Sequence, residues 1–203
     1  MTACADLRVL FRAPAGPRRG FGHLVRCRSF ARALGVRPLI ALRGRAVAAD
    51  AALRLGCDVV TGSPARLLSA LQPDVLIVDD PIAADARRWI AEARRAGCLV
   101  VSVHDLGIGC MDADLIIDGS LGPTRAAEHG PRALTGAEFA VLDPAIAAQR
   151  DRVQPQPHRV LIALGGGPHL ELAREIAEAI ADGHPGAQIR IAGGFASEAR
   201  SAP

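Results

Sequence analysis

Tyrosine and lysine are absent from this chain of 203 residues, and aromatic side chains make up only 3% of it. All 24 basic residues are therefore arginines, which together with abundant alanine, glycine and proline reads as a GC-rich coding bias. The arginine surplus is weak evidence for nucleic acid, because a reader of nucleic acid needs a concentrated basic face or stacking aromatics, and the six scattered aromatics supply neither. No run of about 18 apolar residues exists, so no membrane span is expected. Asp6 interrupts the amino terminus before its short apolar run, so no secretory signal is expected either, and the cytoplasm is the expected compartment. The five cysteines form no Cys-x-x-Cys pair and are odd in number, which excludes a closed disulfide framework and leaves them as reduced, small apolar fillers.

Half of the residues are apolar, 22% are charged and the formal net charge is only +3, so enough apolar surface is available to offset chain entropy. A length prior of about 150 residues per domain leaves room for one domain and part of a second. Short apolar runs alternate with amphipathic stretches throughout. Strands are expected over 7–12, 38–42, 58–60, 75–79, 99–103, 115–118, 160–164 and 189–192, and helices over 23–34, 46–55, 65–71, 83–96 and 170–181. Strand and helix in alternation imply an α/β protein with a parallel sheet covered on both faces. The polar, proline-rich stretch 150–158 reads as a linker between an N-terminal domain over 1–149 and a second strand-helix-strand unit over 159–203, too small to enclose its own core.

Chemistry is expected where strands end. The strand 75–79 is nearly all apolar before it reaches Asp79 and Asp80, as expected of a central parallel strand whose carboxyl end meets a ligand. These two carboxylates are expected to bind substrate or to orient His23; capping the helix near Ala83 or facing solvent is the alternative. His23 follows Gly20-Phe21-Gly22 at the expected start of a helix, where glycine lets the backbone turn tightly and the positive dipole end disfavours imidazolium, favouring a neutral, proton-accepting ring. A plain loop-to-helix turn carrying a surface histidine is the alternative. A dinucleotide fingerprint is rejected: Val25 stands at the third glycine, the preceding loop is too long, and Ala41-Leu42-Arg43 ends the second strand without an acid. Arg43 and Arg45 read as a solvated loop, Phe139 reads as a core residue rather than a sugar platform, and no metal spacing is present.

Phe11-Arg12-Ala13, Gly16, Gly20-Phe21-Gly22-His23 and Arg26-Cys27 resemble the opening of the bacterial UDP-sugar hydrolases of pseudaminic acid biosynthesis and of related spore-coat-type nucleotide-sugar proteins. The likeness continues in order through Leu76-Ile77-Val78-Asp79, Val101-Ser102-Val103-His104-Asp105, Asp112-Ala113-Asp114, Gly136-Ala137-Glu138-Phe139 and Val160-Leu161-Ile162-Ala163-Leu164-Gly165-Gly166. This resemblance implies a glycosyltransferase-B-like pair of Rossmann-like domains, the second incomplete here. It also implies attack of water on the anomeric carbon of a UDP-sugar with release of UDP, needing no cofactor and no metal. By position it makes His23 the general base, with Gly20, Gly22 and Arg26 shaping the substrate cleft. Gly165, Gly166 and Gly167 follow a strand, where helix-start amides could hold phosphates.

Two departures stand out. Pro14 replaces an acid that the family carries, and the family's ribose- and uracil-holding segment has no counterpart after Gly194, so a missing or separate C-terminal half is expected. A glycosyltransferase of the same fold, or a non-catalytic binding remnant, are the alternatives.

Overall fold

The computed structural model describes residues 7–104, 111–120, 132–149, 158–165 and 169–193. Its main body is a parallel sheet of seven strands: β1 (Val9–Pro14), β2 (Leu39–Arg43), β3 (Asp58–Val60), β4 (Val75–Val78), β5 (Leu99–His104), β6 (Leu115–Asp118) and β7 (Ala133–Thr135). The spatial order is β3-β2-β1-β4-β5-β6-β7, so the chain runs outward from β1 to one side, then returns and builds the other side from β4. Between them run α1 (Gly22–Leu34), α2 (Ala46–Arg54), α3 (Pro64–Leu71) and α4 (Ala83–Arg95). The expected α/β, Rossmann-like parallel sheet is thus the observed architecture.

The period-two alternation of the strands decides which helices cover which face. On one side Phe11 and Ala13 of β1, Ile40 and Leu42 of β2 and Ile77 of β4 pack with Leu24, Cys27 and Ala31 of α1 and with Ala48, Ala51 and Ala52 of α2. On the other side Leu10, Ala41, Leu76, Val78 and Val100 meet Leu67 and Leu68 of α3 and Ala86, Trp89, Ile90 and Ala93 of α4. Each fully buried Leu, Ile or Phe contributes about 1.5–3 kcal/mol. Cys27, Cys57 and Cys98 are free and buried, as fillers should be, and burial pushes all three thiols up, Cys98 to about 11.

Two short elements went unforeseen. β7 has three residues and only backbone pairing to β6 to define it, with Leu134 exposed. The one-turn helix α5 (Pro144–Ala147) is set by Asp143, whose side chain accepts from the Ala145 amide at 2.9 Å, with Pro144 in the first turn. That Asp-Pro pair was the available signal. Beyond them, β8 (Arg159–Ile162) and β9 (Gln188–Ile191) pair in parallel as a separate two-stranded sheet joined through α6 (Leu170–Gly183). Among the described residues no helix is long and apolar enough to cross a membrane.

Candidate active site

The sheet reverses its winding between β1 and β4, and loops leaving those two strands diverge there to leave a crevice. After β1 the chain makes a tight excursion over 16–20. The Gly16 amide donates to the Gly20 carbonyl at 3.0 Å, and the Arg19 amide donates to the Gly16 carbonyl at 3.0 Å. Gly20 closes it at φ 75°, a left-handed conformation in which a Cβ would be strained. Gly22 then opens α1 without a side-chain cap and with no acid in the first turn. The loop therefore delivers His23 one residue into α1, over the carboxyl end of β4.

There His23 meets the first of the two acids. Its Nδ1 lies 2.8 Å from Asp79 Oδ1, while Arg26, one turn further along α1, donates from Nε to Oδ2 at 2.7 Å and from Nη2 to Oδ1 at 2.5 Å. The Asp79 amide is held by the Arg12 carbonyl of β1 at 2.9 Å, so the carboxylate sits on the sheet ladder itself. The Asp79 side chain is 3% exposed; burial pushes its pKa up, but the hydrogen bonds from His23 and Arg26 and the Arg26 charge outweigh this and hold it below the usual carboxylate value. An ionised carboxylate only accepts, so the proton of the short contact belongs to Nδ1, and in the neutral ring the lone pair lies on Nε2. Among the described residues Nε2 has no hydrogen-bond partner. The helix dipole alone had suggested a neutral ring; the carboxylate behind Nδ1 additionally fixes its tautomer and orientation.

Asp80, expected beside Asp79 at the substrate, instead turns to the opposite face. Its fully buried side chain accepts from Arg43 Nη2 at 2.6 Å and from the Ile82 amide at 3.0 Å, and its Oδ2 lies 3.4 Å from Arg12 Nε. Arg43 also donates to Asp85 at 2.5 Å, and Arg12 donates to the Ala41 carbonyl at 3.2 Å with its guanidinium 5.1 Å from the Trp89 ring. Asp80 is thus a structural anchor that steadies the chain entering α4, and Arg43 belongs to this network rather than to a solvated loop. Successive residues at a strand end point to opposite faces, which separates the two acids.

A cleft of about 500 Å³ opens in front of His23. Gly22, His23 and Arg26 line it, as does Gly165, which follows β8 and has φ 78°. Gly166 and Gly167 lie outside the described residues. Gly20 shapes the loop and does not line the cleft. The far wall is Val141, Leu142, Asp143 and Ile146, residues to which the sequence assigned no role. Phe139 is half-buried rather than in the core, and it does not line the cleft. Among the described residues no group of three or more His, Cys, Asp or Glu is placed to hold a metal ion.

No protein-family model matches the chain, and no curated protein does. A solved structure, the spinosyn rhamnosyltransferase SpnG, is similar at 17% identity with a TM-score of 0.51, over 97% of this chain and 68% of that one. At that identity the likeness is one of architecture: the chain shares its fold with a glycosyltransferase.

Proposed function

We propose that the protein acts on a nucleotide-sugar, with His23 as general base toward a hydroxyl oxygen that attacks the anomeric carbon. The observation that carries this is the 2.8 Å contact between His23 Nδ1 and the buried Asp79 carboxylate, which in the neutral ring makes Nε2 the proton acceptor of a side chain that lines a cleft at the winding reversal. Asp79 stabilises the imidazolium that forms when Nε2 takes the proton, and Arg26 keeps Asp79 ionised. As the nucleophile adds to one face of the sugar, the bond to the diphosphate breaks on the other, with inversion. Gly165 and the two glycines after it are the proposed neighbours of the diphosphate.

With water as nucleophile the reaction is hydrolysis of a UDP-sugar, the activity that the resemblance to pseudaminic acid pathway hydrolases implies. With an alcohol it is glycosyl transfer, and the apolar far wall of the cleft favours this second reading. The test is UDP release from a panel of UDP-sugars. His23→Asn should lower the rate by about 10²–10⁴-fold, and Asp79→Asn should do likewise by losing the tautomer. Neither should weaken UDP binding measured by calorimetry. Full activity of His23→Asn removes the base from the mechanism; no UDP affinity in the wild type favours a silent binding module.

A further inference from the structure

The far wall of the cleft offers little that a polyhydroxylated or aqueous nucleophile could use. Leu142 and Ile146 are 62% and 56% exposed with Val141 beside them, and Val25 of α1, which also lines the cleft, is 39% exposed. The polar side chains around them are already engaged. Arg26 is committed to Asp79, and the Ser29 hydroxyl donates to the Val25 carbonyl at 2.8 Å. Asp143 accepts from Arg32 Nη1 at 2.9 Å and caps α5. Apart from His23, that leaves Arg19 at the rim.

The wall is also built rather than incidental. The Arg32 to Asp143 pair ties α5 to the outer side of α1. Gly119, after β6, lies so close to the chain entering this segment that a Cβ there would stand 2.6 Å from Ala140 Cα. Polar groups hold the segment down, and Leu142 and Ile146 face out. A packing role alone would have turned them inward.

We propose that this wall binds an apolar, hydroxyl-bearing small molecule, an aromatic or alicyclic alcohol or phenol, which serves as glycosyl acceptor. The volume suits one such molecule, and a mostly apolar lining with a few convergent polar groups is how small-molecule sites fix orientation. The inference rests on the reading of His23 as base. The acceptor oxygen forms the new bond to the anomeric carbon, the anomeric bond to the diphosphate breaks with its electron pair leaving on UDP, and the hydroxyl proton goes to His23 Nε2. Apolar contact also excludes water, which suppresses hydrolysis.

The probe is 2-naphthol, titrated into the full chain by fluorescence, with glucose as a polyhydroxylated control. Saturable binding of naphthol and none of glucose is expected. Leu142→Asp with Ile146→Asp should weaken naphthol binding by about tenfold or more, whereas His23→Asn should weaken it far less and abolish naphthyl glycoside formation across a panel of UDP-sugars. Absence of saturable binding, or binding indifferent to the two aspartates, overturns the proposal. A double variant that no longer folds also overturns it, since it shows that the chain itself already covers the wall. Naphthol binding combined with undiminished glycoside formation by His23→Asn would sink the base and leave the acceptor site standing.

Discussion

Asp79 and Asp80 are adjacent and equally buried, yet they answer to different chemistry. Asp80 compensates the Arg12 guanidinium, which is itself 7% exposed and whose pKa burial lowers against the raising effect of Asp80. Removing one member of a buried charge cluster leaves the other uncompensated, so Asp80→Ala should cost about 3–5 kcal/mol of stability in denaturant unfolding. A loss well under 1 kcal/mol would mean that water reaches Arg12. Asp79 gives a pH signature instead. Its folded pKa is depressed below the ordinary 3.8, so its contribution to stability is present above that value and is lost as pH falls through the folded one. His23 and Arg26 are the groups that face it. The wild-type melting temperature should therefore fall more steeply with acid below about pH 4 than that of Asp79→Asn; parallel curves would contradict the ionised dyad. The sequence marked both acids and the histidine because each follows an apolar run or a glycine pair. It could not show which acid faces which way, nor that Arg12 is buried and Arg43 paired, because a charge in a short strand looks the same whether solvated or paired.

At the scale of elements, legibility followed apolar run length. The four-residue core Val75-Leu76-Ile77-Val78 and the amphipathic α4 each stood out from their periodicity, and their observed bounds differ from expectation only at the ends. β7 and α5 did not, since a three-residue edge strand and a single helical turn carry too few side chains to establish a period. Yet these late, short pieces lead into and build the far wall of the cleft. Their placement depends on Gly119, where a methyl group would meet Ala140 Cα at 2.6 Å and its amide nitrogen at 2.9 Å. Backbone cannot yield as a side-chain tip does, so Gly119→Ala should destabilise by about 1–3 kcal/mol and weaken naphthol binding without touching the dyad. An unchanged melting temperature would show that the segment adapts freely.

For the molecule as a whole, the two sheets differ sharply in how much they enclose. β1 and β4 have neighbours on both edges and helices on both faces. β8 and β9 pair only with each other, and of the described residues in 158–193 only Ile162 and Ala173 are buried, with Leu161 and Leu172 at 67% and 50% exposure. A unit that buries so few apolar side chains gains little to offset its chain entropy. Amide hydrogen exchange should therefore show β8, β9 and α6 opening locally, while β1 and β4 exchange only with global unfolding. Equal protection of both sheets would mean that the smaller one is covered by contacts beyond those described.

The back-to-back acids have a consequence for genetics. In a deep mutational scan scored on function, codons 79 and 80 would read as one intolerant block, inviting a shared assignment to the reaction. Scored on cellular abundance they should part: the amide isostere at 79 accumulates as idle protein, whereas substitutions at 80 are cleared by proteolysis.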